Sequence, residues 1–279
     1  MQKFVEQKFI GERAMFGAKD AEFERCGFAA GESPLKHGQN LRLKNCTFEW
    51  KYPLWYTKNV AVEDGFLMQM ARAGIWYAQD VSFKDTLIQA PKSFRRCQNV
   101  RLENVNLTQA EETLWSCADA EIKNVCARGD YFATNCENVR VYGLNLDGNY
   151  GFDGCKNVLV EDSKLLSKDA FWNCENVTVR NSFISGEYLA WNSKNVTFEN
   201  CVIESLQGLC YVQNLVMRGC QTLDTTLAFE YSSVDVEILG GIASVKNPLS
   251  GVIRAREIGE IIMQKECVDP AATKIILEK

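Results

Sequence analysis

Three aspartates lie among aromatic and basic residues and could exchange protons with a ligand: Asp130, Asp153 and Asp169. Two carboxyl groups cleave a glycosidic bond when about 5–5.5 Å separates them in a retaining enzyme, or about 6.5–9.5 Å in an inverting one. Asp153 is a candidate for a raised pKa, because a carboxylate crowded by aromatic side chains is poorly solvated. Two adjacent cations, Arg95 and Arg96, would hold an anionic group. The residues therefore offer acid–base and anion-binding chemistry.

Large aromatic residues recur in one row, four positions before a repeated Asn or Asp. The row consists of Trp55, Trp76, Arg95, Trp115, Thr134, Asp153, Trp172, Trp191, Cys210 and Phe229. We expect the row to point outward, because Arg95, Thr134 and Asp153 would be hard to bury together. The candidate ligand-binding residues are Arg95, Arg96, Trp115, Tyr150, Lys168, Trp172, Glu187 and Trp191. The same tryptophans could instead pack into the wall or cover a hydrophobic interface.

Composition excludes several other chemistries. The single histidine, His37, rules out HExxH and paired-histidine sites, and it lies in the irregular stretch GESPLKHGQ between the first two repeats. The net charge of −5 supplies no basic face, so we expect no nucleic-acid partner. There is no apolar run of about 18 residues, so we expect no membrane span. The opening MQKFVEQKFIGERAMF has no apolar signal-peptide core, which favours a cytoplasmic location.

A repeat of 19 to 21 residues must position these side chains. Its register marks are Asp20, Asn40, Asn59, Asp80, Asn99, Asp119, Asn138, Asn157, Asn176, Asn195, Asn214 and Ser233. After each mark, apolar and polar residues alternate, as in Val100 and Leu102 against Arg101 and Glu103, which is typical of a short strand with one buried face. Asn and Asp tolerate the left-handed conformation, so the marks indicate bends.

Short strands joined by bends at this period predict an all-β fold, a right-handed single-stranded parallel β-helix of about 12 coils. A leucine-rich-repeat horseshoe would need a leucine frame that is missing here. We expect one domain over residues 1–279, with an N-terminal cap at 1–19, regular coils at 20–240 and a C-terminal coil or cap at 241–279.

Nine of the twelve cysteines fall into two registers of the repeat. The first contains Cys97, Cys117, Cys136, Cys155 and Cys174, and the second contains Cys26, Cys46, Cys201 and Cys220. No C-x-x-C pair occurs, so ligand spacing for a metal is absent. We interpret both registers as ladders of buried free thiols that pack as small apolar groups. We expect no cofactor. Calcium binding is possible, but nothing in the sequence supports it.

Several motifs carry a family resemblance over nearly the whole chain: GERAMF (11–16), GESPLK (31–36), WKYPLWY (50–56), AGIWY (73–77), KDAFWN (168–173), GEYLAWNSKN (186–195) and LAFEYS (227–232). They resemble a bacterial β-helix family known only as a domain of unknown function, within the pectate-lyase-like superfamily. The resemblance implies the fold and a bacterial cytoplasmic setting, and it brings no activity. The polygalacturonase motifs N-T-D, D-D, G-H-G and R-I-K are missing. Asp130, Asp153 and Asp169 with Arg95 or Arg96 match the calcium-dependent pectate lyases in composition only.

Two hypotheses follow from the sequence. In the first, the lateral surface binds or processes a carbohydrate, and an enzyme of this kind would be a lyase, hydrolase or epimerase. In the second, the protein is a non-catalytic scaffold whose exposed aromatic row binds a protein partner or a second copy of the chain. A groove around Asp153 would favour the first hypothesis, and a flat aromatic patch would favour the second.

Overall fold

The computed structural model describes residues 1–277, which form two compact units. The first unit covers residues 1–145, and the second begins at residue 146. In both units the chain winds as a right-handed parallel β-helix. No helix in the described chain is long and apolar enough to cross a lipid bilayer.

In the first unit, long and short strands alternate along the chain. They are β1 (Gln2–Val5), β2 (Lys8–Phe9), β3 (Lys19–Glu24), β4 (Gly27–Phe28), β5 (Gln39–Lys44), β6 (Thr47–Phe48), β7 (Lys58–Glu63), β8 (Phe66–Leu67), β9 (Ile75–Trp76), β10 (Gln79–Lys84), β11 (Leu87–Ile88), β12 (Phe94–Arg95), β13 (Gln98–Glu103), β14 (Asn106–Leu107), β15 (Ala118–Arg128) and β16 (Glu137–Asp147), which ends just past the unit boundary.

The second unit continues the same pattern. Its strands are β17 (Lys156–Glu161), β18 (Lys164–Leu166), β19 (Glu175–Arg180), β20 (Phe183–Ser185), β21 (Lys194–Glu199), β22 (Val202–Leu206), β23 (Gln213–Thr226), β24 (Ser233–Ile238), β25 (Gly241–Lys246), β26 (Ser250–Ala255), β27 (Glu257–Ile262) and β28 (Thr273–Leu277). A 3-10 helix at Pro270–Ala272 precedes β28.

The described chain makes about 15 turns, so the expected count of about 12 is wrong. Strands at both ends carry no Asn mark and still pair in parallel with their neighbours. β1 aligns Gln2 with Ala21 of β3, and β26 and β28 continue the pairing after β24. The coiled region thus extends beyond residues 20–240, because backbone pairing and inward apolar residues are sufficient to continue it.

Alternating burial confirms the predicted strands. In β13, Val100 and Leu102 are buried, and parallel pairing places them beside Val81 and Phe83 of β10. Since each inward residue meets the same register in the next coil, one apolar column is continuous along a unit. Removing these side chains from water is the main stabilising contribution, at about 25 cal/mol per Å² of apolar surface.

The recurring asparagines form ladders at left-handed bends, as expected. Asn99 has φ of 55°, and its side-chain amide donates to Asp80 Oδ1 at 2.7 Å. In the second unit, Asn195 donates to Asn176 Oδ1 at 2.9 Å in the same way. A second row lies five residues after the marks and behaves likewise, since Asn104 donates to Asp85 Oδ1 at 2.8 Å. Each amide therefore joins one bend to the next.

All twelve cysteines are free, and the two predicted registers are buried. Cys174 illustrates their contacts, because its Sγ donates to the Phe152 carbonyl at 2.8 Å. In the next coil, Ser193 donates from the same register to the Phe171 carbonyl at 2.7 Å. The thiols are thus packed in the wall and also satisfy backbone carbonyl groups.

Candidate functional site

A cleft of about 350 Å³ opens on the second unit. Its lining residues come from three successive coils and are Tyr150, Lys168, Asp169, Trp172, Tyr188 and Trp191. The first of these residues follows β16, the next three lie between β18 and β19, and the last two lie between β20 and β21. The cleft therefore stands where the coils turn between their strands.

Three lining residues form one column, because they follow one another at 19-residue spacing: Tyr150, Asp169 and Tyr188. The Tyr150 N–H donates to the Lys168 carbonyl at 2.8 Å, and the Asp169 N–H donates to the Glu187 carbonyl at 2.8 Å. All three column residues have left-handed backbone, with φ of 58°, 56° and 57°. Asp169 thus stands in the column between two tyrosines.

A glycine holds two of these coils close together. A Cβ built on Gly186 would lie 2.1 Å from the Ser167 carbonyl oxygen, so no larger residue fits without moving the backbone. Gly186 immediately precedes Glu187 and Tyr188, and Ser167 immediately precedes Lys168 and Asp169. The close backbone approach therefore fixes the spacing of the cleft-lining turns.

Two tryptophans supply the other aromatic surface of the cleft. The Tyr150 and Trp172 rings are 6.3 Å apart at their centroids and 18° from parallel. The Tyr188 and Trp191 rings are 5.5 Å apart and nearly perpendicular, at 89°. Neither indole N–H has an acceptor among the described residues, so both can donate to a ligand.

The Asp169 carboxyl group is the most enclosed polar group of the cleft, with 2% of the residue exposed. Within residues 1–277 no hydrogen-bond donor reaches it. Burial raises its pKa, the Lys168 charge opposes that rise, and the negative charges of Glu187 and Asp153 add to it. Ionising a carboxyl group in this position costs free energy unless a ligand supplies a hydrogen-bond donor or a cation.

Only one of the three predicted acid–base residues lines the cleft. Asp153 is half-buried beside it, where burial raises the pKa of its carboxyl group and a hydrogen bond with the Asn173 amide lowers it. Asp130 is exposed and belongs to the first unit, where its carbonyl accepts from the Glu112 N–H at 3.0 Å. Asp169 is therefore the candidate general acid or base of the cleft, with Asp153 as its charged neighbour.

Lys168 lines the cleft but its charge is already paired. Its Nζ lies 3.0 Å from Glu187 Oε2 and 5.3 Å from the centre of the Tyr188 ring. The hydrogen bond with Glu187 raises the pKa of Lys168. Of the eight predicted binding residues, four line the cleft: Tyr150, Lys168, Trp172 and Trp191. Glu187 borders it as the partner of Lys168.

The other three predicted binding residues lie in the first unit: Arg95, Arg96 and Trp115. The Arg95 guanidinium is sandwiched 4.6 Å from the centre of the Trp76 ring and 5.2 Å from that of Trp115. Its Nη2 donates to Glu112 Oε2 at 2.7 Å, and its Nε is buried without a hydrogen-bond partner. Arg95 is thus paired with a carboxylate of the protein itself, whereas the sequence suggested that it would hold an anionic group of a ligand.

Arg96 and His37 belong to a second column of the first unit. The Arg96 guanidinium lies 5.9 Å from the centre of the Tyr77 ring, and Tyr77 stacks on Tyr56 at 4.8 Å. His37 continues the column, since its ring stacks on Tyr56 at 5.2 Å and contacts Phe16 edge-on at 5.4 Å. The prediction that His37 lies outside the regular coils is wrong, because ring stacking and backbone pairing place it in register.

The tryptophan row is only partly outward-facing. Its tryptophans, Arg95 and Asp153 are half-buried, but Thr134, Cys210 and Phe229 are buried, so the expectation fails at these three positions. Thr134 is short, and its hydroxyl donates to the Tyr131 carbonyl at 3.3 Å. In the first unit, Trp55 donates its indole N–H to the Ala73 carbonyl at 2.5 Å. Unlike the indoles of the cleft, the Trp55 indole N–H is already bonded to the backbone of the β-helix wall.

The sequence did not single out Tyr188 as a site residue, although it lines the cleft. The signal was present in the spacing, since Tyr188 follows Asp169 by the same 19 residues that separate Asp169 from Tyr150. Residues one coil apart in a parallel β-helix are neighbours, so an acid flanked by tyrosines at that interval marks a site. Among the described residues, no cluster of three or more metal-ligating side chains occurs.

Comparison with known proteins gives one family and several solved structures to which the chain is similar. A family model described as "Protein of unknown function (DUF3737)" matches residues 2–276. No curated protein matches the sequence. Among solved structures, PfbA, a surface adhesin of Streptococcus pneumoniae, is 12% identical over 77% of this chain and 70% of its own, with a TM-score of 0.39.

Two epimerases are similar at the same low level. A mutant of the periplasmic alginate epimerase AlgG is 8% identical over 99% of this chain and 74% of its own, with a TM-score of 0.32. The A-module of the mannuronan C-5 epimerase AlgE4 from Azotobacter vinelandii is 9% identical over 99% of this chain and 87% of its own, with a TM-score of 0.28. These similarities carry no functional conclusion.

Proposed function

The chain belongs to the DUF3737 family of proteins of unknown function, and from the geometry of its cleft we propose that it binds a carbohydrate there. One observation carries the proposal: Asp169 is 2% exposed, accepts no hydrogen bond within residues 1–277, and lines a cleft with four aromatic residues. Sugars match this surface, because their C–H faces pack on aromatic rings while their hydroxyl groups donate to a carboxylate.

The two tryptophans of the cleft support the same ligand class. Trp172 and Trp191 keep indole N–H groups with no acceptor in the described chain, and a sugar hydroxyl or ring oxygen can accept from them. In the first unit, Trp76 donates instead to the Lys92 carbonyl at 2.9 Å, and Trp55 is bonded in the same way. The cleft thus combines stacking surfaces with unused donors and one unused acceptor.

If the cleft is also catalytic, Asp169 is the group that would exchange a proton with the ligand. Burial raises its pKa, which is the direction that suits a group exchanging a proton with a ligand. Asp153 would serve as the second carboxyl group, since its charge already acts on Asp169. The reaction would then be hydrolysis, elimination or epimerisation of a sugar, as the sequence suggested.

A glycan-array screen followed by titration of intrinsic tryptophan fluorescence tests the proposal. We expect at least one oligosaccharide to bind and to change the emission, and Trp172→Ala to weaken its binding at least tenfold. Trp76→Phe in the first unit is the matched control and should leave binding unchanged. Circular dichroism establishes that each variant is folded. If no glycan on the array binds the folded wild-type protein, the proposal is wrong.

A protein-interaction surface is a second candidate function, and the first unit carries the observation that favours it. Phe16 and Tyr56 are 50% and 42% exposed, and His37 lies between them, edge-on to Phe16 and stacked on Tyr56. Exposed rings in one column are typical of surfaces that bind a partner or a second copy. Sedimentation of wild type and of Tyr56→Asn would test self-association; a monomer at high concentration would contradict that version.

A further inference from the structure

The charges around Asp169 identify the ligand more narrowly, on the premise that the cleft binds a carbohydrate as proposed above. Lys168 is the lining cation, and it is held 3.0 Å from Glu187 Oε2. Asp153 and Glu187 add negative charge that acts on Asp169. The cleft therefore has no unpaired positive charge, and among the described residues no cation forms an ion pair with Asp169, although Lys168 acts on it from its pair with Glu187.

The aromatic walls of the cleft also favour a positively charged ligand group. The faces of tyrosine and tryptophan rings are electron-rich and attract a cation within about 6 Å of the ring centre. Tyr150 and Tyr188 lie one coil before and one coil after Asp169, and Trp172 and Trp191 complete the lining. Lys168 demonstrates the attraction within the protein, since its ammonium group lies 5.3 Å from the centre of the Tyr188 ring.

Three kinds of sugar would interact with this environment differently. A uronic acid would bring a second negative charge beside Asp169, which costs free energy in a poorly solvated site. A neutral sugar would donate hydroxyl groups and leave the carboxylate charge unbalanced. An ammonium group would pair with Asp169 through a charge-assisted hydrogen bond and would also face the rings.

We infer that the cleft is specific for a carbohydrate bearing a free amino group, which binds in its protonated, ammonium form. The amino group contacts Asp169, and the rings of Trp172 and Trp191 pack on the apolar faces of the sugar. Asp169 then acts as the specificity-determining residue, because an N-acetylated sugar of the same size has no charge to pair with it.

Three trisaccharides of equal length test this inference by calorimetry at neutral pH: glucosamine, N-acetylglucosamine and galacturonate trimers. We expect the glucosamine trimer to bind at least tenfold tighter than the other two, with a preference that shrinks as salt is added. Asp169→Asn should abolish the preference, since it keeps the size and the left-handed backbone and removes the charge. Glu112→Gln, a carboxylate of the first unit, is the control and should keep the preference.

The two proposals fail in different ways. If the N-acetylated or the galacturonate trimer binds as tightly as the glucosamine trimer, the amino-sugar inference is wrong and carbohydrate binding stands. If Asp169→Asn keeps the full preference for the glucosamine trimer, the role of Asp169 is wrong. If no trimer and no glycan on the array binds, carbohydrate binding fails and this inference fails with it.

Discussion

The indole rings of Trp55 and Trp76 lie 5.1 Å apart at their centroids and 8° from parallel, one coil apart in the first unit. Both donate their N–H to backbone carbonyl groups, of Ala73 and Lys92 respectively. The Arg95 guanidinium covers the opposite face of Trp76 at 4.6 Å. Trp76 is therefore enclosed between two side chains and is part of the wall, so its removal should affect stability.

We expect Trp76→Ala to lower the free energy of unfolding by about 3 kcal/mol, the lower end for loss of a tryptophan because Trp76 is half-buried. It removes two stacking contacts and one hydrogen bond at once. Urea denaturation followed by circular dichroism measures the change. Trp76→Phe keeps a ring between Trp55 and Arg95 and should lose about half as much. A Trp76→Ala protein within about 0.5 kcal/mol of wild type would contradict the structural role.

Asp169→Asn should stabilise the ligand-free protein at neutral pH by about 0.5–2 kcal/mol, the range common for a single stabilising substitution. Burial and the charges of Glu187 and Asp153 disfavour ionisation of Asp169, while Lys168 favours it. Asparagine removes the buried charge and tolerates the φ of 56° at this position. Thermal and urea unfolding of the two proteins at pH 7 measure the difference.

The pH dependence follows from the same cause. Because the folded pKa of Asp169 is raised above the ordinary value of 3.8, the folded state holds its proton more tightly than the unfolded state. The stabilisation that comes from protonated Asp169 is therefore complete below pH 3.8, the ordinary value, and is lost as the pH rises through the folded pKa. Wild type should thus lose stability relative to Asp169→Asn over that rise. Asp224→Asn, at an exposed left-handed aspartate of the second unit, is the control for the same replacement at the protein surface.

The sequence predicted the coil because its signals are local and repeated. The alternation in β13 and the left-handed bend at Asn99 each follow from a few neighbouring residues, and the period multiplies the signal. The number of coils was underestimated because β1 and β28 pair through backbone groups without an Asn mark. Parallel backbone pairing has no residue signature of its own, so the sequence suggested a cap at 1–19 and left a coil or a cap open at 241–279.

The site was harder to predict because it depends on which side chains lie above one another in successive coils, and not on residue types alone. Asp130, Asp153 and Asp169 have the same chemistry, yet only Asp169 falls between two tyrosines in the cleft. Arg95 was expected to hold an external anion, but Glu112, 17 residues later, reaches back to it. Which cation finds an internal partner depends on side-chain reach across a coil, which the spacing alone does not specify.

Asn99→Ala tests the asparagine ladder. Asn99 has φ of 55° and donates to Asp80 Oδ1 at 2.7 Å. Alanine loses that hydrogen bond, worth about 1 kcal/mol, and costs about 1–2 kcal/mol in the left-handed region. We therefore expect a loss of about 2–3 kcal/mol in urea denaturation. Asn99→Gly avoids the backbone cost, so its loss should be about 1 kcal/mol; equal losses for both variants would show that backbone conformation is irrelevant here.

Thiol labelling tests the burial of the cysteine ladders. Only Cys126 and Cys267 are exposed, so iodoacetamide should modify two cysteines in the native protein and all twelve in strong denaturant. Burial raises the pKa of Cys174 to about 12, which removes its reactive thiolate as well. The neighbouring Cys201 thiol lowers the pKa of Cys220, but Cys220 is fully buried. Rapid native labelling of Cys220, read by peptide mass spectrometry, would contradict the packing.

The aromatic surface extends beyond the cleft, and this predicts a dependence on ligand length. The Trp191 ring is 4.7 Å from that of Tyr211, and Tyr211 is 5.4 Å from Tyr231. Tyr211→Asn removes the ring yet suits its left-handed φ of 57°, and the preceding coil already carries Asn192 there. We expect calorimetry to show about a fivefold loss of affinity for a hexasaccharide, corresponding to about 1 kcal/mol, and less than about a twofold loss for a trisaccharide. Since a short ligand fills only the cleft, equal losses at both lengths would mean that Tyr211 acts by shaping the cleft and not by contacting a longer chain.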